Sequence, residues 1–223
     1  MKKLLIVIGE ELKLVLAGQS LDAILPPILF ALINGRYGVL AAVLSAAGVS
    51  VMIALIRRSR KQSSNYALGG LSGILVAGAL ALIANKATNY FLPGIISNAL
   101  ILLIAVISLL IDKPMAAYVS HLTRGWKLQW FWLKTIKPAY REVTVLWTVF
   151  FLMRTMIQIV LYQAADVERL VWANTLMGLP FTIVILVISY VYGIWRLKTL
   201  KGPGIDEYLQ NKQAPYRGQN RGF

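Results

Sequence analysis

Residues 143–162 read VTVLWTVFFLMRTMIQIVLY. At 1.5 Å of rise per residue, about 20 apolar residues cross the hydrocarbon core of a bilayer. This run therefore reads as a membrane span with a cation inside it, Arg154. An arginine at mid-helix costs about 2.5–3.5 kcal/mol on insertion scales, so its default reading is functional, with a partner to be named. Gln158 lies one turn away, on a face with Trp147 and Phe151 and with Thr144 and Tyr162 at its edges. Arg154 sits about 12 Å below the outer end of the span, which strains simple snorkelling. Asp22, Asp112 and Glu142 fall near the inner boundary, so no carboxylate matches its depth. Asn98 lies nearer that level, and Asn174 is placed toward the outer end of the last spanning helix. Amides and freed carbonyls accept hydrogen bonds without cancelling the charge, and an uncompensated cation favours an anionic ligand. The competing reading is a structural arginine satisfied by carbonyls and water.

The rest of the chain extends the membrane reading. Of its 223 residues, 58% are hydrophobic and 14% charged, and mean hydropathy is +0.66. Soluble domains carry about 25% charged residues. The expected fold is all-α and integral to a membrane, with six spans: 21–35, 37–56, 66–85, 92–111, 143–162 and 179–197. They form three successive hairpins. Nineteen lysines and arginines then fall on the inner segments and three (Arg36, Lys86, Arg169) on the outer loops. This asymmetry puts both termini in the cytoplasm. The net charge of +14 follows the inner face, so anionic lipid headgroups are the expected partner and nucleic acid is not.

Three organisational units follow: residues 1–20, 21–197 and 198–223. The first, with Glu10, Glu11 and Lys13 interrupting its apolar run, reads as an interfacial amphipathic helix near 2–17 rather than a cleaved signal. The second is the membrane domain. Its inner loop carries Leu122, Trp126, Trp130, Leu133 and Ile136 at helical spacing, a second interfacial helix near 117–137 that Pro138 terminates. The third, KGPGIDEYLQNKQAPYRGQNRGF after Leu200, is polar and basic and is expected to be largely disordered.

Two local patterns admit more than one reading. Ala42, Ala46, Ser50 and Ala54 recur every fourth residue, as do Gly69, Gly73, Ala77 and Ala81. Small ridges let helices approach closely, for packing within the chain or for a dimer or gating contact. Pro26 and Pro27 either break the first span, freeing backbone toward a polar site, or sit in its first turn.

Enzyme chemistry finds little support. The chain has no cysteine and one histidine, His121, and lacks a nucleophile elbow, a phosphate-binding loop or a zinc-protease helix. Asp22, Asp112 and Glu142 could converge on a metal or proton, but Lys113 and Arg141 beside them favour ordinary ion pairing. No cofactor is implied.

Several pieces, in order, carry a resemblance: Leu25-Pro26-x-x-x-Phe30; Ala67-Leu68-Gly69-Gly70-x-x-Gly73; Phe91-Leu92-Pro93-Gly94-Ile95-x-x-Asn98; Ser108 with Lys113-Pro114; Trp126; Tyr140-Arg141; Leu146-Trp147-x-x-Phe150-Phe151-x-x-Arg154; then Gln158, Leu161-Tyr162 and Gly178-x-Pro180. From Leu21 to Leu197 the chain resembles a family of uncharacterised bacterial membrane proteins, more distantly similar to the intracellular septation protein A group. The resemblance implies a bacterial cytoplasmic membrane, no assigned activity, and Arg154, Gln158 and Asn98 as part of the family pattern. Distant similarity to the septation group implies a link to cell-envelope synthesis and division. The expected function is a small carrier or channel-like protein whose polar site combines Arg154, Gln158, Asn98 and Asn174 with the helix carrying Pro26. The alternative is a non-catalytic envelope scaffold docking through the basic, Trp-rich inner loop and the small-residue faces, with envelope proteins or a second copy as partners.

Overall fold

The computed structural model describes the backbone of residues 19–59 and 65–223, and the side chains of residues 25–59 and 72–223. The N-terminal interfacial helix expected near 2–17 lies outside the described residues. The helices are α1 (Gln19–Ser59), α2 (Asn65–Ile83), α3 (Leu92–Leu110), α4 (Met115–Arg124), α5 (Leu128–Phe131), α6 (Lys137–Gln163), α7 (Val167–Leu176), α8 (Leu179–Leu200) and α9 (Ile205–Leu209), with a 3-10 turn at Ala87–Phe91 before α3. No strand occurs among the described residues. Four segments are long and apolar enough to cross a membrane: Leu25–Ser59, Ala87–Leu110, Lys137–Gln163 and Val167–Leu200. Large apolar side chains such as Leu100, Leu103, Ile104, Val149 and Ile188 are exposed, and a bilayer is the solvent that suits them. The protein is a multi-pass membrane protein.

Short connections work because helices end on left-handed residues. Asn85, Asp112 and Ala165 have φ of 48°, 56° and 54°. Beside them Lys86, Lys113 and Asp166 donate back to the carbonyls of Ala81, Ser108 and Leu161, satisfying groups that a helix end would otherwise leave orphaned. Asp166 then caps α7, its carboxylate accepting the Arg169 amide at 2.9 Å.

Four expectations need correction. The first helix is not broken at its prolines, nor do they occupy its first turn. Pro26 and Pro27 lie inside α1, and the non-helical residue is Gly38, at φ 77° and ψ 176°. That region is open essentially to glycine alone. The inner-loop helix is not continuous over 117–137. It ends at Arg124 on Gly125, whose φ is 69°, and resumes as the short α5. Pro138 starts rather than stops a helix, since α6 begins at Lys137 and proline suits a first turn. The segment before the last span, read as an outer loop, contains α7.

The chain divides into two compact units. One ends at Ser97 and resumes over Thr155–Phe181; the other is Asn98–Arg154 with Thr182–Phe223. The core of the first holds Phe30, Ala42, Val43, Ala46, Ala77, Ala81, Tyr90, Phe91, Leu170 and Val171. Phe30 stacks on Tyr90 with centroids 4.0 Å apart and meets Phe91 edge-on at 6.1 Å. The two small ridges are packed within the chain through Ala42, Ala46, Ala77 and Ala81. Next to these ridges Gly78 faces Val43, where a Cβ would fall 2.6 Å from its side chain, whereas Gly73 has open space.

The core of the second unit is aromatic: Trp126, Trp130, Phe131, Tyr140 and Phe223, with Ile136, Val143, Leu197 and Ile205. The tail expected to be disordered contributes to it. Pro203 accepts the Trp130 indole N–H at 2.9 Å, and Phe223 stacks on Tyr140 at 4.3 Å.

Candidate functional site

α6 carries both leading candidates, and the unit boundary falls between Arg154 and Thr155. Arg154 and Asn98 belong to the second unit; Gln158, Asn174 and Pro26 belong to the first.

In the second unit Arg154 is half-buried. Its Nε is buried and has no hydrogen-bond partner, and no ion pair among the described residues includes it. A guanidinium carries five donors and no acceptor, so a buried N–H left unmatched is a donor available to an incoming acceptor. Asn98 is buried on α3, in a narrow stripe with Ala105 and Ser108, while most other α3 side chains are exposed.

Of the three carboxylates weighed for a metal or proton site, Asp112 and Glu142 are committed to ion pairs. Asp112 is bonded by Lys137 and lies 3.6 Å from Arg141. The Lys137 hydrogen bond, with the charges of Lys137 and Arg141, holds its carboxyl below the usual aspartate range. Glu142 receives Arg196 through two nitrogens, Nε at 2.8 Å and Nη2 at 2.9 Å, and Tyr192 donates to it at 2.7 Å. Such a fork fixes α8 against α6. The side chain of Asp22 lies outside the described residues. Among the described residues no group of three or more His, Asp or Glu could hold a metal. His121 Nδ1 bonds the carbonyl of Trp126, 2.5 Å away.

In the first unit two of the expected residues meet. Gln158, 1% exposed, donates through Nε2 to Asn174 Oδ1 at 2.5 Å. Asn174 sits on α7 rather than on the last spanning helix, and its Nδ2 donates to the Leu170 carbonyl at 2.8 Å. One turn further along α6, Tyr162 donates to Asn89 Oδ1 at 2.6 Å. Thr155 is buried with its hydroxyl unpartnered. Asn89 and Thr155 escaped the sequence reading. Asn89 stands in a short connection, and Thr155 passes as an ordinary β-branched residue in an apolar run. Pro26 is buried on α1, and its ring removes the amide that the residue 22 carbonyl would otherwise accept.

Comparison with curated proteins and with solved structures finds no match. A family model described as a protein of unknown function, DUF3159, matches residues 18–198. That match brings no link to the septation protein A group. Covering the whole run from α1 to the end of α8, it shows that the chain belongs to the DUF3159 family.

Proposed function

We propose that this protein is a small carrier or channel-like protein of a bacterial cytoplasmic membrane, and that Arg154 receives an anionic or polar solute. The observation that carries this reading is the buried, unmatched Nε of Arg154 in a helix apolar enough to cross a bilayer. A cation held in low dielectric without a carboxylate attracts anions and repels cations.

Six crossings suit the same reading. The break at Gly38 divides α1 into helical stretches 19–37 and 39–59, and α2 adds 19 residues. Nineteen residues rise about 28 Å, close to the hydrocarbon thickness. The charge asymmetry supports cytoplasmic termini and anionic headgroups at that face. The scaffold reading is less well supported, because the faces it needs are used internally. Trp126, Trp130 and Ile136 are buried in the second core, and Ala42, Ala46, Ala77 and Ala81 in the first.

The test is Arg154→Gln and Arg154→Lys in purified protein, scored for thermal stabilisation by chloride, nitrate, acetate and phosphate and for uptake of the same anions into proteoliposomes. At least one anion stabilises the parent and is transported by it, and Arg154→Gln loses both effects. A folded Arg154→Gln protein that keeps the parent's anion response refutes the role.

A further inference from the structure

The second unit carries a built cover. Glu207, in α9, accepts three backbone amides, from Gly204 at 2.9 Å, Arg217 at 2.8 Å and Gly218 at 3.1 Å. One carboxylate therefore ties both limbs of the segment 201–223 together. Gln219 adds a second tie, accepting the Ile205 amide at 3.0 Å and donating to the Gly222 carbonyl at 3.1 Å. The folded strap lies on α6 and α8. Phe223 stacks on Tyr140, and a Cβ on Gly193 would run into the Phe223 ring. At Gly222, φ is +98°, and a Cβ would stand 2.6 Å from the Tyr190 hydroxyl and 3.4 Å from Arg124 Nη1. Glycine is needed there on both counts.

What the strap covers is polar and unspent. The Arg124 guanidinium lies 5.3 Å from the Trp126 ring centre and 5.9 Å from that of Tyr190. No ion pair among the described residues includes it. The Tyr140 hydroxyl is buried beside the Ser120 side chain with no well-formed hydrogen bond, and the Ser189 hydroxyl, one turn before Gly193 on the same face of α8, is buried without a partner. Burying such hydroxyls unmatched is costly, and natural interiors rarely tolerate it without a use. A guanidinium and two hydroxyls able to donate make a set that recognises a group rich in acceptors. A phosphate-type oxyanion meets it best, through charge-assisted bonds to arginine.

We propose that residues 201–223 are a detachable strap, latched by Glu207, over a phosphate-type anion site formed by Arg124, Tyr140 and Ser189. The anion is either a lipid phosphate headgroup or free phosphate. The site is independent of Arg154.

This chain has no cysteine, so Ser189→Cys introduces a single thiol into it, and Ser120→Cys is the substitute if that variant does not fold. The rate of maleimide labelling is the readout. Labelling is slow in the parent background and rises at least tenfold when Glu207→Gln or Phe223→Ala is added. An unchanged rate in both overturns the strap as a cover. The anion arm uses Ser120→Cys, which keeps Arg124, Tyr140 and Ser189: with the strap opened by Glu207→Gln, inorganic phosphate or phosphatidylglycerol vesicles slow labelling again, and phosphatidylcholine vesicles do not. Protection by inorganic phosphate identifies a free anion; protection by phosphatidylglycerol alone identifies a headgroup. Protection by neither, or protection that survives Arg124→Gln, overturns the anion site. Arg154→Gln leaves the protection intact, which separates this site from the proposed transport residue.

Discussion

The pairing of Gln158 with Asn174 allows a direct measurement of what a polar contact contributes between α6 and α7. Gln158→Leu removes the donor and leaves Asn174 Oδ1 without it, while the Asn174 amide keeps its bond to the Leu170 carbonyl. Asn174→Ala removes the acceptor. Side-chain hydrogen bonds between membrane helices average about 0.6 kcal/mol and reach about 1.7. Gln158 is 1% exposed, so water cannot replace its partner and the coupling belongs at the upper end. The expected interaction energy is about 1–1.7 kcal/mol, a roughly 5- to 18-fold change in the unfolding equilibrium. The assay is reversible unfolding in mixed micelles by SDS, with both single variants and the double variant completing a cycle. Additive losses, with coupling under about 0.3 kcal/mol, would refute the view that this bond joins the two helices.

The glycine and cap geometry gives further tests by the same assay. Gly38→Ala forces a Cβ into a region reserved for glycine and loses about 1–3 kcal/mol. Gly78→Ala loses about 1–3 kcal/mol by crowding Val43, while Gly73→Ala, in open space, gains up to about 1 kcal/mol from helix propensity. Ala165→Gly, at φ 54°, gains about 1 kcal/mol because the left-handed conformation no longer strains a Cβ. The amides bonded to Glu207 hold its carboxyl below the ordinary glutamate range, those of Arg217 and Gly204 most. A depressed folded-state value means that this stabilisation is complete above the unfolded pKa of about 4.3 and is lost as pH falls through the lower folded value. Hydrogen exchange at Gly204, Arg217 and Gly218, corrected for its intrinsic pH dependence, should therefore speed up only below about pH 4; loss of protection between pH 5 and 7 would contradict the sign.

That the chain is an all-helical, multi-pass membrane protein was legible because apolar composition over about 20 residues is a local property; the count of six spans is not shown by the four long apolar segments. What escaped depends on backbone angles or distant partners. The first and second spans were divided between residues 35 and 37, and the non-helical residue is Gly38, whose φ no periodicity records. Residues 163–178 passed as an outer loop because they fall between two apolar runs, although Asp166 before Val167 was a readable cap. Trp spacing outweighed Gly125, an ordinary helix stop. Polar composition argued for a disordered tail. The carboxylate that organises it bonds amides up to 11 residues away, and its terminal aromatic lies against Gly193. Gln158 and Asn174 were both named from sequence, but the bond between them rests on α7, a helix the reading had not placed.

The Gly38 break also has a mechanical meaning. Two torsion angles at one residue set the direction of the helical arm that precedes it. From Gly38 back to Leu25 that arm is about 20 Å long. A 30° turn at the pivot would carry its end about 10 Å, roughly a helix diameter. The clasp of Phe30 on Tyr90 and Phe91 lies partway along this lever, where a small contact resists a large swing. Phe30, eight residues from the fulcrum, and its neighbours Ile28, Ala31 and Ile33 in the same core hold the arm at its angle, and Phe30→Ala would loosen it without touching the pivot.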